Sequence, residues 1–172
     1  MKELRKRIGF VPQKGILFSG TIESNIKYGN ENASDDEVKN SAEMSNASYF
    51  IERLPQKYET YLSESGSNLS QGQRQLLTIA RTILADPKIL ILDEATSSVD
   101  TRTEKNIQDA MVKLMKNRTS LIIAHRLSTI QDADIIIVVD DGKVVGIGKH
   151  DELLNNCEVY KEIYDSQFKK EE

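Results

Sequence analysis

The sequence predicts an α/β fold in which a parallel sheet is interrupted by an inserted helical block. Three observations predict it. Two short apolar runs, residues 88–92 and 120–124, flank a helical stretch, which is the pattern of a βαβ unit. A third strand, residues 7–11, stands far upstream of that unit. The residues between them, about 20–85, read mainly as helices, so they form an insertion between the first strand and the rest of the sheet.

Residues 7–11 (R-I-G-F-V) end at Pro12-Gln13, which stops a strand. Residues 34–47 read as a helix because Ser34 and Glu37 have capping-box spacing. A second helix spans 47–54 and stops at Pro55, and residues 56–68 form a polar loop with Gly and Ser. Residues 70–85 give the strongest helix signal. Ser70 and Gln73 form another capping box, Leu76, Leu77, Ile79, Ala80, Ile83 and Leu84 supply a broad apolar face, and Asp86-Pro87 ends it. The run 88–92 (K-I-L-I-L) suits a strand buried on both faces. Asp100 caps a helix to about Lys116, and 120–124 is a second buried strand. Residues 135–139 and 143–147 flank Asp141-Gly142, a hairpin turn, and residues 151–168 are helical and partly amphipathic.

The bulk properties exclude several functions. The chain has 172 residues, 38% hydrophobic and 29% charged, enough for one domain with a core. A net charge of -4 argues against a nucleic-acid partner, and the basic start at Lys2, Arg5, Lys6 and Arg7 is short and interrupted by Glu3. One cysteine, Cys157, excludes an internal disulfide and a cysteine metal cluster, and fits a reducing compartment. No apolar run is long enough to span a bilayer, and the first residues lack a secretory apolar stretch. His150 in G-K-H-D-E-L supports a helix start, because no other ligand accompanies it, and Tyr160 and Tyr164 are packing residues at helical spacing.

Two places can carry chemistry. The run 88–92 ends in Asp93-Glu94, and ligands of open α/β sheets sit beyond the carboxyl ends of strands. One acid there can hold Mg²⁺ and its neighbour can orient and deprotonate a water, although the same pair can also cap a turn. The second place is Leu69-Ser70-Gln71-Gly72-Gln73, at a helix N-terminus. Free N–H groups there attract phosphate, Gly72 admits an anion close to the backbone, and Ser70 can donate to it. Plain capping would use the same residues.

Taken together, these segments resemble the ATP-binding-cassette (ABC) family, over essentially the whole chain. Leu69-Ser70-Gln71-Gly72-Gln73 is similar to the family's signature motif, with Gln71 where glycine is usual. The run ending in Asp93-Glu94 resembles its Walker B strand and catalytic glutamate, Ser97 to Asp100 its D-loop, His125 in A-H-R-L-S its switch histidine, and Val11-Pro12-Gln13 its Q-loop. Leu17 to Ile22, with Asn25-Ile26 and Tyr28-Gly29, resembles the stretch of exporter-type cassettes that faces a transmembrane domain. Glu64-Ser65-Gly66 matches the exporters' acidic loop only in part, because Tyr61, Leu62 and Ser63 depart from the pattern.

The resemblance implies an incomplete P-loop NTPase (RecA-like) sheet with a helical subdomain. Residues 1–19 begin the catalytic core, 20–86 form the helical part, and 87–172 complete the core with a hairpin and helices. It implies ATP and Mg²⁺ as ligands. The metal lies at Gln13 and Asp93, Glu94 positions the water, His125 contacts the γ-phosphate, and Leu69, Ser70, Gln71, Gly72, Gln73 and Asp100 lie at the nucleotide. The implied partners are a second nucleotide-binding domain and an exporter's transmembrane domain, at the cytoplasmic face of the cell membrane. No G-x-x-x-x-G-K-S/T occurs in the chain. By resemblance it begins just before the Q-loop, so the expectation is weak ATP binding and little activity alone. Two other readings use these motifs: a non-catalytic module or remnant lending its signature helix to a complete cassette, and a chromosome-maintenance or repair ATPase. The latter is disfavoured by the lack of a sustained heptad run and by residues 18–29.

Overall fold

The computed structural model describes residues 7–93, 99–124 and 130–168. Its backbone parts into two compact units, Met1–Ile123 and Ala124–Glu172.

In the first unit, strands β1 (Ile8–Val11), β4 (Ile89–Asp93) and β5 (Thr119–Ile123) form a parallel sheet in the order β1-β4-β5. Between β1 and β4 lie β2 (Gly20–Thr21), α1 (Ile22–Lys27), α2 (Asp35–Met44), α3 (Ser48–Ile51), β3 (Tyr61–Leu62) and α4 (Gln71–Ala85). Helix α5 (Thr101–Met115) makes the β4-α5-β5 crossover, so the expected βαβ unit and the helical insertion are both present.

The helix starts follow their sequence signals. Ser34 caps α2 with a full capping box to Glu37, and Ser70 does the same for α4 with Gln73. Asp100 caps α5 by accepting from the Thr103 N–H at 3.0 Å. α4 ends at Asp86 in the left-handed region, φ 44°. Leu76, Leu77, Ile79, Ala80 and Ile83 of α4 join Val11, Leu90 and Leu92 of the sheet and Ile107, Ala110 and Leu114 of α5 in one core. α4 therefore spans the unit from its exposed start at Ser70 to the packed interior.

Several expectations need correction. The strands are buried on one face only. Register puts Phe10, Ile91 and Leu121 in one row, with Ile89 and Ile123 on the same side; Phe10 is 54% and Leu121 57% exposed, while Val11, Leu90 and Leu92 on the other side are fully buried. A run of apolar residues fits both arrangements, so the sequence does not distinguish them. The 56–68 stretch is not only loop, because Tyr61–Leu62 pairs antiparallel with Gly20–Thr21 and buries Leu62. The stretch after Gly20, where no individual helix is expected, contains α1, capped by Thr21. The helix expected at 47–54 is shorter, and 151–168 is broken in two.

The second unit is a hairpin of β6 (Ile136–Asp140) and β7 (Lys143–Gly148) with helices α6 (His150–Asn156) and α7 (Glu158–Phe168). Asp141 and Gly142 both have positive φ, 45° and 72°, as a tight two-residue hairpin turn requires. Ile136, Val138, Leu153, Cys157 and Tyr160 form its core. Cys157 takes an extended backbone that separates α6 from α7. His150 begins α6, and its Nδ1 lies 2.8 Å from the Tyr160 hydroxyl, so both have the structural roles expected of them.

Candidate functional site

The strand pairing puts the Q-loop and Walker B positions side by side. Val11 pairs with Leu92, so Pro12-Gln13 and Asp93 leave neighbouring strands at the same, carboxyl edge of the sheet. Asp93 is half-buried and also registers against Ile123 of β5. Gln13 is exposed in the bend after β1. Glu94 and His125, the two catalytic expectations, lie outside the described residues, as do Ser97 and Ser98 of the D-loop.

The other half of the site is the start of α4. Ser70 is exposed; its Oγ accepts from the Gln73 N–H at 3.2 Å and its N–H donates to Gln73 Oε1 at 2.9 Å. Leu69 is buried and anchors this end, while Gln71 is half-exposed. Gly72 faces protein on its side-chain face: a Cβ there would lie 2.2 Å from Thr103 Cγ2 and 3.1 Å from Val99 Cγ1. Glycine is therefore required for close packing against α5, besides any ligand it admits through its backbone. That packing brings Gly72 next to Val99 and to Thr103, the residue whose N–H Asp100 caps, so the positions expected to be signature and D-loop adjoin.

Asp100 carries a depressed pKa, because the Thr103 backbone N–H and then its side chain donate to the carboxylate. A carboxylate whose folded pKa lies below its unfolded value adds stability above about pH 4 and loses it as pH falls through the folded pKa. Asp100→Asn is accordingly expected to flatten the acid limb of a stability-versus-pH curve while changing neutral-pH stability little, read by urea melts at each pH.

α4 ties the two halves together. Gln75 Nε2 donates to the Pro12 carbonyl at 3.1 Å, which fixes the segment carrying Gln13 against the helix. The Gln75 Oε1 atom is buried with no hydrogen-bond partner among the described residues. Further along, Arg81 donates from Nε to the Asn25 carbonyl at 2.9 Å, from one terminal nitrogen to the Ile16 carbonyl at 2.9 Å, and from the other to Asn25 Oδ1 at 3.0 Å. Asn25 in turn closes the 18–25 loop through Phe18, accepting from its N–H and donating to its carbonyl, both at 2.9 Å. Burial lowers the Arg81 pKa, and Tyr28 pulls the other way. Above this node Phe18 and Tyr28 form a tilted ring pair with centroids 4.8 Å apart, 46% and 62% exposed. Both rings lie within 5.4 Å of the Arg81 guanidinium carbon. Ile22, expected to share this surface, is instead fully buried. Sequence reading missed the Arg81–Asn25 node, because its only signal is a charged residue inside an apolar helical run.

Among the described residues no three His, Cys, Asp or Glu side chains gather as a metal cage. Mg²⁺ needs none, since it keeps several waters and takes one or two carboxylates plus phosphate oxygens. One carboxylate and one amide at a shared strand edge, Asp93 and Gln13, fit that partial donor set. No helix among the described residues is long and apolar enough to cross a membrane.

Comparison with known proteins finds relatives over nearly the whole chain. The ABC transporter family model matches residues 1–97. An uncharacterized ABC transporter ATP-binding protein, YfiC of Bacillus subtilis (strain 168), is 56% identical over 167 residues, which cover 97% of this chain and 28% of that protein. The ATP-dependent lipid A-core flippase of Desulfotalea psychrophila (strain LSv54 / DSM 12343) is 49% identical over 164 residues, 95% of this chain and 29% of the flippase. A solved bacterial Atm1-family ABC exporter with ATP bound superposes with a TM-score of 0.87 at 44% identity, over 96% of this chain and 29% of that one. The chain thus spans somewhat more than a quarter of the length of these relatives. With the family model matching more than half its residues and the fold matching across nearly all of them, the chain belongs to the ABC transporter family and carries part of an exporter-type ATP-binding domain.

Proposed function

We propose that this chain is the ATP-binding and ATP-hydrolysing segment of an exporter, working at the cytoplasmic face of a membrane. In this reading residues 1–19 start the catalytic core, 20–86 form the helical part, and 87–172 return to the core. The observation that supports it best is the pairing of Val11 with Leu92, which puts Gln13 and Asp93 at one strand edge while α4 presents Ser70 to solvent.

Asp93 and Gln13 would hold Mg²⁺, which supplies charge neutralisation on the phosphates when bound. Glu94 accepts a proton from the attacking water and orients it. His125 donates to the γ-phosphate. Ser70 and the first-turn amides of α4 face a nucleotide carried by a second cassette, with Asp100 beside them. Positioning and electrostatics do most of the work in phosphoryl transfer, so these residues act chiefly by where they stand.

The exposed Phe18–Tyr28 pair supports a docking face for a transmembrane domain. Arg81 connects that face to α4, and Gln75 connects α4 to the Gln13 segment. One rigid helix thus touches nucleotide site and docking face. ATP-driven closure of two cassettes would reach the membrane partner through it, as a ligand-driven shift between open and closed pairs.

The reading is tested in a chimera in which this chain replaces the matching 167 residues of the 56% identical relative. Ser70→Ala is expected to cost about 1 kcal/mol of stability through the lost cap. It is also expected to reduce ATP turnover by roughly tenfold, through one lost hydrogen bond to a charged oxygen. Turnover unchanged by Ser70→Ala would remove the start of α4 from the nucleotide site.

A further inference from the structure

Beside the start of α4 lies an open groove of about 350 Å³, walled by α3 and the residues after it on one side and by the first turn of α5 on the other. Its lining is unusual for a chain of net charge -4: it contains two arginines, Arg53 and Arg102, and no acidic side chain. Both guanidiniums gather on one aromatic ring. The Arg53 guanidinium carbon lies 3.8 Å and that of Arg102 5.5 Å from the centre of the Tyr49 ring, and Arg102 also donates to the Tyr49 hydroxyl at 3.3 Å.

Two nearby carboxylates are committed elsewhere. Glu52 pairs with Lys57 at 2.8 Å, and Asp100 accepts from the Thr103 N–H. Neither Arg53 nor Arg102 is among the ion pairs of the described residues, which involve Lys27, Lys57, Lys88 and Arg118. The rest of the lining includes neutral donors, Ser70 and Gln73 among them. Both guanidiniums lie within 5.5 Å of one ring centre, so an anion reaching both would interact with two positive charges at once.

We propose that this groove binds a phosphate group, with Arg53 and Arg102 as its charged ligands and Tyr49 as the platform that holds them. Phosphate is favoured over carboxylate by charge. A phosphate monoester carries about -1.5 to -2 at neutral pH and matches two guanidiniums, whereas a carboxylate matches one. It also offers enough oxygens for forked donors arriving from two directions. The site shares Ser70 and Gln73 with the nucleotide-facing end of α4 but draws on neither the sheet edge nor Glu94, so its test can fail without the hydrolysis reading failing.

Arginine-selective modification of the purified 172-residue chain with phenylglyoxal, followed residue by residue by peptide mass spectrometry, tests it. Exposed Arg7 is the internal reference. Inorganic phosphate at about four times its Kd is expected to slow modification of Arg53 and Arg102 about fivefold relative to Arg7, against chloride at equal ionic strength. Arg53→Gln should abolish the protection at Arg102, and Arg102→Gln that at Arg53, because one ion bridges both; Arg53→Lys should retain part of it. Protection by ATP at lower concentration than by inorganic phosphate assigns the phosphate to a nucleotide, and equal protection assigns it to the free ion. The proposal is overturned if acetate protects as well as phosphate, if Arg7 is slowed equally, or if each arginine stays protected when the other is removed. Loss of turnover in a Glu94→Gln chimera would leave all of these outcomes unchanged.

Discussion

Arg81→Met is expected to destabilise the chain by about 3 kcal/mol, the largest effect of any single side chain outside the apolar core. The substitution keeps the length and apolar stem of the side chain and removes only the charged fork. What is lost is a set of bonds to the Asn25 carbonyl, the Ile16 carbonyl and Asn25 Oδ1, with two backbone acceptors left without their donor. Hydrogen bonds from a charged group contribute more than neutral ones, and leaving the acceptors unsatisfied adds a desolvation penalty. With a urea slope near 2 kcal/mol/M, the unfolding midpoint should fall by roughly 1.5 M. Lys88→Met is the control: its ion pair with Asp86 spans 3.9 Å between two exposed side chains, so the midpoint should barely move. Equal effects of the two substitutions would show that Arg81 is only another surface cation. Because Arg81 also carries the Phe18–Tyr28 face, the same substitution should weaken whatever docks there.

Glu94→Gln in the chimera is expected to lower ATP turnover by at least about 100-fold while ATP still binds. The exchange preserves shape and hydrogen-bonding reach and removes only the basic oxygen that takes the proton from water. Asp93, one residue earlier at the end of β4, keeps its carboxylate, so metal binding should survive. A variant that binds ATP and fails to hydrolyse it should also hold two cassettes together, visible as an ATP-dependent pair by size-exclusion chromatography. Unchanged turnover would remove Glu94 from its assigned role, and lost ATP binding would move it to the metal.

Much of this was legible in the sequence, for local reasons. Ser34 with Glu37, Ser70 with Gln73, and Asp100 each announce a helix start through a side chain that satisfies a nearby backbone N–H, and all three caps are present. Asp141-Gly142 announces its turn because few other dipeptides take two positive φ values. The parallel pairing of the 88–92 and 120–124 runs also follows, since a helical crossover joins such strands.

What the sequence did not reveal depends on distant residues. Two-residue strands such as Gly20–Thr21 and Tyr61–Leu62 have no periodicity of their own and exist only because they pair with each other. One buried face of β4 and one open face look the same in a run of Ile and Leu. The glycine at 72 reads as a ligand approach, and only the neighbouring Thr103 and Val99 reveal its packing role. Tyr49 and Arg53, in and just after α3, meet Arg102 of α5 from far along the chain, so no motif could have joined them. Glu94 and His125 remain assignments from family resemblance.

The central claim is that Ser70 of one cassette and the Asp93-Glu94 pair of another share one nucleotide. Two covalently linked copies of the chimera test it, with Ser70→Arg and Glu94→Gln placed either in different copies or in the same copy. If the halves of each site come from different copies, splitting the substitutions spoils one site twice and leaves the other intact, so turnover persists. Placing both in one copy then damages each site once and abolishes turnover. Equal turnover in the two arrangements, or more turnover with both changes in one copy, would contradict the shared site.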